Sequence, residues 1–242
     1  MPDLGSSLHL NMLRRYKVGQ SLPLRVIAAI RRELHSKDMY GLHWGDPDTL
    51  EPLKFIRDRY LLPYVRSDHH AIEIGPGGGR WTRYLLGFEK LYVVDYHAQL
   101  LDELRRNFDA KHIVFVKNNG ADFPGVEENS IDYLFSFGTF VHLDVDLIQG
   151  YLRTMHPLLR QGSNVVLQYS DQTKVMAKLN AGFSDNTPER MRQMVTSAGY
   201  TILEEDLTTL WHSSVIRFTP CTARRRGVEA VRPDGEDSQP SA

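Results

Sequence analysis

Between residues 71 and 169, short apolar runs alternate with segments whose apolar residues recur at helical spacing. The runs at 71–74, 91–95, 113–117, 133–136 and 165–169 predict strands. Residues 82–86, 98–108 and 145–159 predict helices, the last capped by Asp144. Strands that alternate with helices predict a parallel sheet joined by crossover helices. Upstream, Leu53, Ile56 and Tyr60 mark a helix over 49–65, with Asp48 or Thr49 as its cap. Another helix is predicted over 22–35, where Pro23 suits the first turn and Leu24, Ile27, Ala28 and Ile30 form an apolar face. Arg25, Arg31 and Arg32 share that helix, either as a solvated basic face or as part of a lid or an acidic-partner contact.

After residue 169 the rhythm changes. Thr187-Pro188-Glu189 opens a helix that runs to Ala198, with Gly199 as its stop. Residues 200–207 and 213–219 then predict two strands too close in sequence for a crossover helix, so they should pair antiparallel. Beyond Ala223 come Arg224-Arg225-Arg226 and then Pro, Gly, Asp, Glu and Ser, a composition that predicts a disordered tail. The expected plan is a helical leader over 1–45, one domain over 46–220 and a tail over 221–242. The domain is α/β and doubly wound, a mostly parallel seven-stranded sheet with an antiparallel closing hairpin.

Composition narrows the function classes. The chain has 242 residues, enough for one sizeable domain, and a net charge of −1, so no global basic field argues for nucleic acid. One cysteine, Cys221, excludes a disulfide framework and argues against a cysteine-rich zinc site. Residues 1–17 lack the uninterrupted apolar core of a signal peptide, and no run approaches the ~20 apolar residues of a membrane span. The expectation is a cytoplasmic protein without membrane or nucleic-acid partners.

Candidate chemistry sits in Glu73-Ile74-Gly75-Pro76-Gly77-Gly78-Gly79-Arg80-Trp81-Thr82. A strand, a glycine turn and a helix start follow one another, the order a nucleotide-type cofactor needs. A dinucleotide fold would place its third glycine where Arg80 stands, and a P-loop would continue Gly-Lys-Ser/Thr, which is missing. The spacing is instead Glu73-x-Gly75-x-Gly77-x-Gly79, with Asp95 ending the next strand about 20 residues past the first glycine, as ribose recognition requires.

With these residues the chain resembles class I S-adenosylmethionine-dependent methyltransferases, over about residues 40–218. The resemblance implies the Rossmann-like methyltransferase fold, S-adenosylmethionine as cofactor, and a role for each matching residue. Glu73 would help fix the methionine amino group, directly or through water, and the backbone of Gly75, Pro76, Gly77 and Gly79 would lie against the cofactor. Asp95 would accept from both ribose hydroxyls, a task suited to an acceptor-only carboxylate. Near the adenine amino group stand Asn118-Asn119-Gly120-Ala121-Asp122; Asn119 with Gly120 is favoured, and Asp122 is the rival. Phe137, in Ser136-Phe137-Gly138-Thr139 after the fourth strand, would flank the cofactor, and Trp44, in an aromatic loop with Tyr40 and His43, either folds over it or packs in the core.

For the chemistry itself, His142 after the fourth strand is the first candidate base, because histidine titrates near neutral pH. Its alternative is a structural bond at the following helix. Asp171 comes second, or serves as a turn former, and His212 third. The motifs of nucleic-acid amino-methylating enzymes and of metal-assisted catechol-type enzymes are missing, and Asp171 alone is insufficient for a metal site. The expected substrate is a small molecule methylated on a hydroxyl oxygen, of a sugar or other secondary metabolite. The rivals are N-methylation of a small amine, a cofactor-binding partner protein without catalysis, and RNA binding through Arg14-Arg15-Lys17 and Arg224–Arg226.

Overall fold

The computed structural model describes residues 41–221. The leader helix expected over 22–35 and the tail beyond Cys221 lie outside the described residues. Seven strands form one sheet: β1 (His70–Ile74), β2 (Lys90–Asp95), β3 (Ile113–Lys117), β4 (Ile131–Ser136), β5 (Leu159–Ser170), β6 (Tyr200–Asp206) and β7 (Ser213–Pro220). Their order is β3-β2-β1-β4-β5-β7-β6. Six strands run in one direction, and β7 lies antiparallel between β5 and β6, closing the sheet with the expected hairpin.

Side-chain alternation explains why helices cover both faces. In β1, Ile72 and Ile74 point to one side and Ala71 and Glu73 to the other. The first side, with Val94, Leu134, Leu167 and Phe218, packs on α4 (Val145–Met155) and α6 (Pro188–Ser197) through Ile148, Leu152, Met191 and Val195. The second side, with Leu91, Val93, Phe135 and Val166, packs on α1 (Glu51–Ile56), α2 (Thr82–Leu85) and α3 (Ala98–Asn107) through Leu53, Ile56, Leu85, Leu101 and Leu104. Each large apolar side chain so buried contributes about 1.5–3 kcal/mol. The remaining helix, α5 (Val175–Lys178), is a single turn after β5 that the apolar pattern does not mark.

The elements match their expected places, with three departures. The helix expected over 49–65 is regular only in α1; it widens into a π turn at Arg57–Leu61 and tightens into a 3₁₀ turn at Leu62–Tyr64. Pro63 has no N–H to continue the ladder, which ends the helix there. Its N-cap is Leu50 rather than Asp48 or Thr49, with Pro52 in the first turn. The helix expected over 145–159 ends as α4 at Met155, because Pro157 lies in a 3₁₀ turn directly behind it. Strand β5 begins six residues before its apolar run, because Leu159 already pairs with Ile131 and Gly162 (φ 81°) carries the chain through the irregularity. Thr187 caps α6 as expected, its hydroxyl accepting from the Arg190 N–H at 3.3 Å, and Gly199 follows with φ 86°.

Candidate active site

Apart from the segment with Trp44, which precedes β1, the loops that carry the candidate residues leave the carboxyl ends of the parallel strands, where open sheets bind ligands. They enclose one cavity of about 1100 Å³. That lies just above the ~300–1,000 Å³ of an ordinary ligand pocket.

The first wall is the turn after β1. Its Gly75 N–H donates to Val94 O at 2.8 Å, so the turn is stitched to the end of β2. Gly75 has φ 69°, and a Cβ there would stand 1.9 Å from Thr139 Oγ1, so only glycine fits between the turn and the loop after β4. Gly75, Pro76 and Gly77 line the cavity. Gly79 does not: a Cβ on it would meet the Phe108 ring at 2.1 Å, so this glycine permits contact with the end of α3.

Glu73 also departs from its expected place. Its strand parity aims it at the helix side, where it is buried and accepts from Thr82 Oγ1 at 2.6 Å, behind the turn and outside the cavity lining. Burial pushes its carboxyl up to about 8, against the lowering bond from Thr82, and the nearby Asp95 adds to the rise. Asp95 does line the cavity, with Tyr96, His97 and Leu100 beside it. One oxygen, Oδ1, accepts from the His97 N–H at 2.8 Å, and burial pushes the carboxyl up to about 7. Burial holds His97 down at about 4, so it is neutral at working pH.

After β3 the favoured Asn119 does not reach the cavity. Asn119 is exposed, and its backbone N–H donates to Asp122 Oδ1 at 2.8 Å. Asn118 is turned in, donating from Nδ2 to Tyr151 OH at 2.8 Å, while its Oδ1 is buried without a partner among the described residues. Gly120 and Tyr151 reach the cavity; neither asparagine lines it. Composition could not tell the neighbours apart, but helix contact selects the inward one.

The far wall follows β4 and β5. Phe137 and Gly138 line it, with Trp81 packed on Phe137 at 4.6 Å between ring centroids. Arg80, read in the sequence only as a misfit for a dinucleotide turn, is buried in this wall. Its guanidinium lies over the Trp81 and Phe137 rings at 5.7 and 5.6 Å and donates to Gly45 O at 3.3 Å. Gln168 holds the loop in place, accepting from the Gly138 N–H and donating to Ser213 Oγ, each at 2.7 Å. The sequence pattern did not single out Gln168, which reads as one more residue of an apolar strand. Trp44 lines the mouth, about one-third exposed.

His142 lies in a 3₁₀ turn (Phe140–His142) and lines the cavity. Its Nδ1 is 2.8 Å from Gly182 O, a carbonyl that can only accept. The neutral ring therefore carries its proton on Nδ1 and offers Nε2 as the proton acceptor. The Phe183 ring stands edge-on to both His142 and His212, at 5.4 and 5.2 Å. His212 also lines the cavity; its Nδ1 is buried without a partner among the described residues, and burial lowers its pKa, with Lys174 adding to the effect.

Asp171 is not in the cavity. Its carboxylate is buried, accepting from the Thr173 N–H at 3.0 Å and from Ser214 Oγ at 2.7 Å. Those donors more than offset burial and hold it below the usual carboxylate range. This carboxylate fastens the turn after β5 to β7, and the strand-end position that drew attention to it carries no access. Among the described residues, no group of three or more His, Cys, Asp or Glu is arranged to hold a metal ion, and no helix is long and apolar enough to cross a membrane.

Residues 71–162 match the family model for a methyltransferase domain. The fold is shared with NodS, an N-methyltransferase from Bradyrhizobium japonicum solved with S-adenosyl-L-homocysteine. The TM-score is 0.61 at 15% identity, covering 80% of this chain and 97% of that one. The CcbJ methyltransferase of Streptomyces caelestis gives a TM-score of 0.58 at 16% identity, covering 74% of this chain and 99% of that one. A chain from the complex of the Haloferax volcanii Trm112 methyltransferase activator with a methyltransferase gives 0.55 at 13% identity, covering 73% and 96%. No curated protein sequence matches the chain. Residues 71–162 therefore carry a methyltransferase domain, on a fold shared with S-adenosylmethionine-dependent methyltransferases. The methyltransferase domain supports enzyme activity with S-adenosylmethionine as the cofactor.

Proposed function

We propose that this enzyme methylates a hydroxyl oxygen of a small molecule, with Asp95 on the cofactor ribose and His142 as the base. The observation that carries the reading is one continuous cavity, from Gly75–Gly77 and Asp95 past Phe137–Gly138 to His142. The residues present fit the cofactor. Asp95 is a desolvated carboxyl whose pKa of about 7 falls once hydroxyl donors reach it, and the glycine turn leaves its backbone open to the ligand. Bound there, the cofactor supplies an electrophilic methyl group on a sulfonium. The protein's own work is to align the acceptor, keep water out and take a proton.

One feature favours oxygen over an amine acceptor. The Nδ1–Gly182 bond orients His142 as a proton acceptor, which a hydroxyl needs and a neutral amine does not. The N-methyltransferase NodS shares the fold, and at 15% identity that likeness bears on the fold alone. Methyl-transfer assays with the His142→Asn enzyme test the reading. For a hydroxyl acceptor, kcat should fall more than tenfold with the loss concentrated at low pH, while affinity for S-adenosylhomocysteine holds. Transfer to an amine with full retention in His142→Asn would replace it with N-methylation.

A further inference from the structure

Tyr151 carries a hydrogen that the protein does not use. It shares with Ile148 and Leu152 the face of α4 that packs on the sheet, and its ring lies against Phe123 and Phe140 at 5.8 and 5.3 Å between centroids. Periodicity alone makes it one more core residue. Its hydroxyl is another matter. The oxygen accepts from Asn118 Nδ2 at 2.8 Å. The same Nδ2 donates to Gly120 O at 3.4 Å, and that carbonyl fixes which way the amide is turned, since it can only accept. Tyr151 is therefore the acceptor in its bond with Asn118, and among the described residues no acceptor takes the hydroxyl hydrogen. Tyr133 and Tyr200, also buried, give theirs to the carbonyls of Tyr60 and Leu152 at 2.6 and 2.8 Å. Burial raises the pKa of Tyr151, with Asp95 and Asp122 adding to the rise against the lowering bond from Asn118, so the hydrogen stays in place at working pH. A buried donor without a partner is costly, and Tyr151, 4% exposed, lines the cavity. The missing partner is then an atom of the ligand.

Sheet order fixes which part of the ligand lies there. The cavity runs from Gly120 after β3, past Asp95 at the end of β2 and Gly75 after β1, to Phe137 after β4. In S-adenosylmethionine the ribose joins the base on one side to the sulfonium on the other. With the ribose on Asp95 and the sulfonium towards Phe137, the base falls at the β3 end, which Leu100, Gly120 and Tyr151 line. The Asn118 N–H donates to Asp95 O at 3.1 Å, so the residue that braces Tyr151 is tied to the ribose carboxylate's own strand. Adenine presents an amino group that donates and unprotonated ring nitrogens that accept. A hydroxyl with a hydrogen to give is matched to a ring nitrogen.

We infer that the Tyr151 hydroxyl, braced by Asn118, donates to a ring nitrogen of the adenine and so selects the cofactor's base. This rests on the proposed placement of the ribose on Asp95. The loop after β3 supplies the brace and α4 supplies the donor, whereas the spacing of residues pointed to Asn119 or Asp122 for this end. Tyr151 meets the cofactor away from the reacting methyl group, so it acts on affinity and base choice and takes no part in proton transfer.

Calorimetry of S-adenosylhomocysteine and its 1-deaza, 3-deaza and 7-deaza forms, on the parent protein and on Tyr151→Phe, tests this. Each deaza form replaces one ring nitrogen by a C–H, which cannot accept. Tyr151→Phe keeps the ring on Phe123 and Phe140 and should bind S-adenosylhomocysteine about tenfold more weakly. One deaza form should lose about the same factor on the parent and nothing further on Tyr151→Phe, a coupling that a merely structural tyrosine would not show. The parent arm decides by itself should Tyr151→Phe not fold: a parent that binds every deaza form as tightly as S-adenosylhomocysteine overturns the inference. Deaza losses of equal size in both proteins overturn it as well, because another group then meets the nitrogen. If Asp95→Asn still weakens every ligand in those cases, the ribose placement stands. An Asp95→Asn protein that binds them all like the parent overturns both.

Discussion

The pH dependence of cofactor affinity follows from one side chain. Asp95 lines the cavity 7% exposed, and burial pushes its carboxyl up to about 7. Only the ionised form can accept from both ribose hydroxyls, so binding selects the carboxylate and releases a proton when the group starts protonated. Affinity is therefore full above about pH 7 and is lost as pH falls below it. The apparent Kd should rise by a factor of about 1 + 10^(7−pH), roughly 11 at pH 6 and roughly 100 at pH 5, with one proton taken from the site per cofactor bound. Calorimetry of S-adenosylhomocysteine binding between pH 5.5 and 8.5, in buffers of different ionisation heat, reads both the slope and the proton. Asp95→Asn should bind about 10²–10³-fold more weakly at pH 8, from two charge-assisted bonds at about 1.5–3 kcal/mol each, partly kept by the amide, and its pH profile should be flat. Glu73 titrates nearby, pushed up to about 8, so Glu73→Gln serves as the control and should retain the acid-side slope. A flat profile for the parent protein, or an Asp95→Asn protein that binds as tightly as the parent, would refute the assignment.

Gly79→Ala should lose about 2–5 kcal/mol, combining about 1–2 for an alanine at φ 101° with about 1–3 for the clash on Phe108 and Leu104. Gly125→Ala, at φ 79° with open space around it, should lose only the backbone part, and urea unfolding of the pair isolates the packing contribution. Asp171→Asn should cost stability of about 1–3 kcal/mol with kcat within about threefold of the parent, because its donors belong to the turn and to β7. Asp171 is held below its unfolded pKa of ~3.9, so its contribution is present above that pH and lost as pH falls through its folded value; chemical denaturation between pH 2.5 and 6 should show the variant lacking this dependence. Gln168→Leu strands the Gly138 N–H and Ser213 Oγ, at about 1–3 kcal/mol each, and methyl transfer should fall more than S-adenosylhomocysteine affinity does.

Strand and helix order was legible because it depends on local periodicity, which survives without tertiary context. Residues 113–117 form a strand with the bounds the apolar run predicts, and the close spacing of β6 and β7 required their antiparallel hairpin. Less legible were the places where packing overrides the pattern. The polar start of β5 is a strand because β4 offers it a partner, and the helix after residue 50 breaks at Pro63 after a π turn. The candidate site was legible as a set of strand ends, and Asp95, Gly75, Pro76, Gly77, Phe137, Trp44, Gly120 and His142 all reach the cavity. Glu73, Gly79, Asn119 and Asp171 sit at equally suggestive positions and do not.

The chain's own order of residues therefore determined a sheet, its doubly wound plan and a glycine turn followed by an acid, since each is written within a few neighbours. Which of those side chains face a ligand was decided only in three dimensions. Strand parity sends Glu73 towards Thr82, helix contact turns Asn118 in and Asn119 out, and the Phe183 ring brings His142 and His212 to one wall from distant parts of the chain. Direction and access depend on what packs against a residue, and that information is absent from the residue's immediate neighbours.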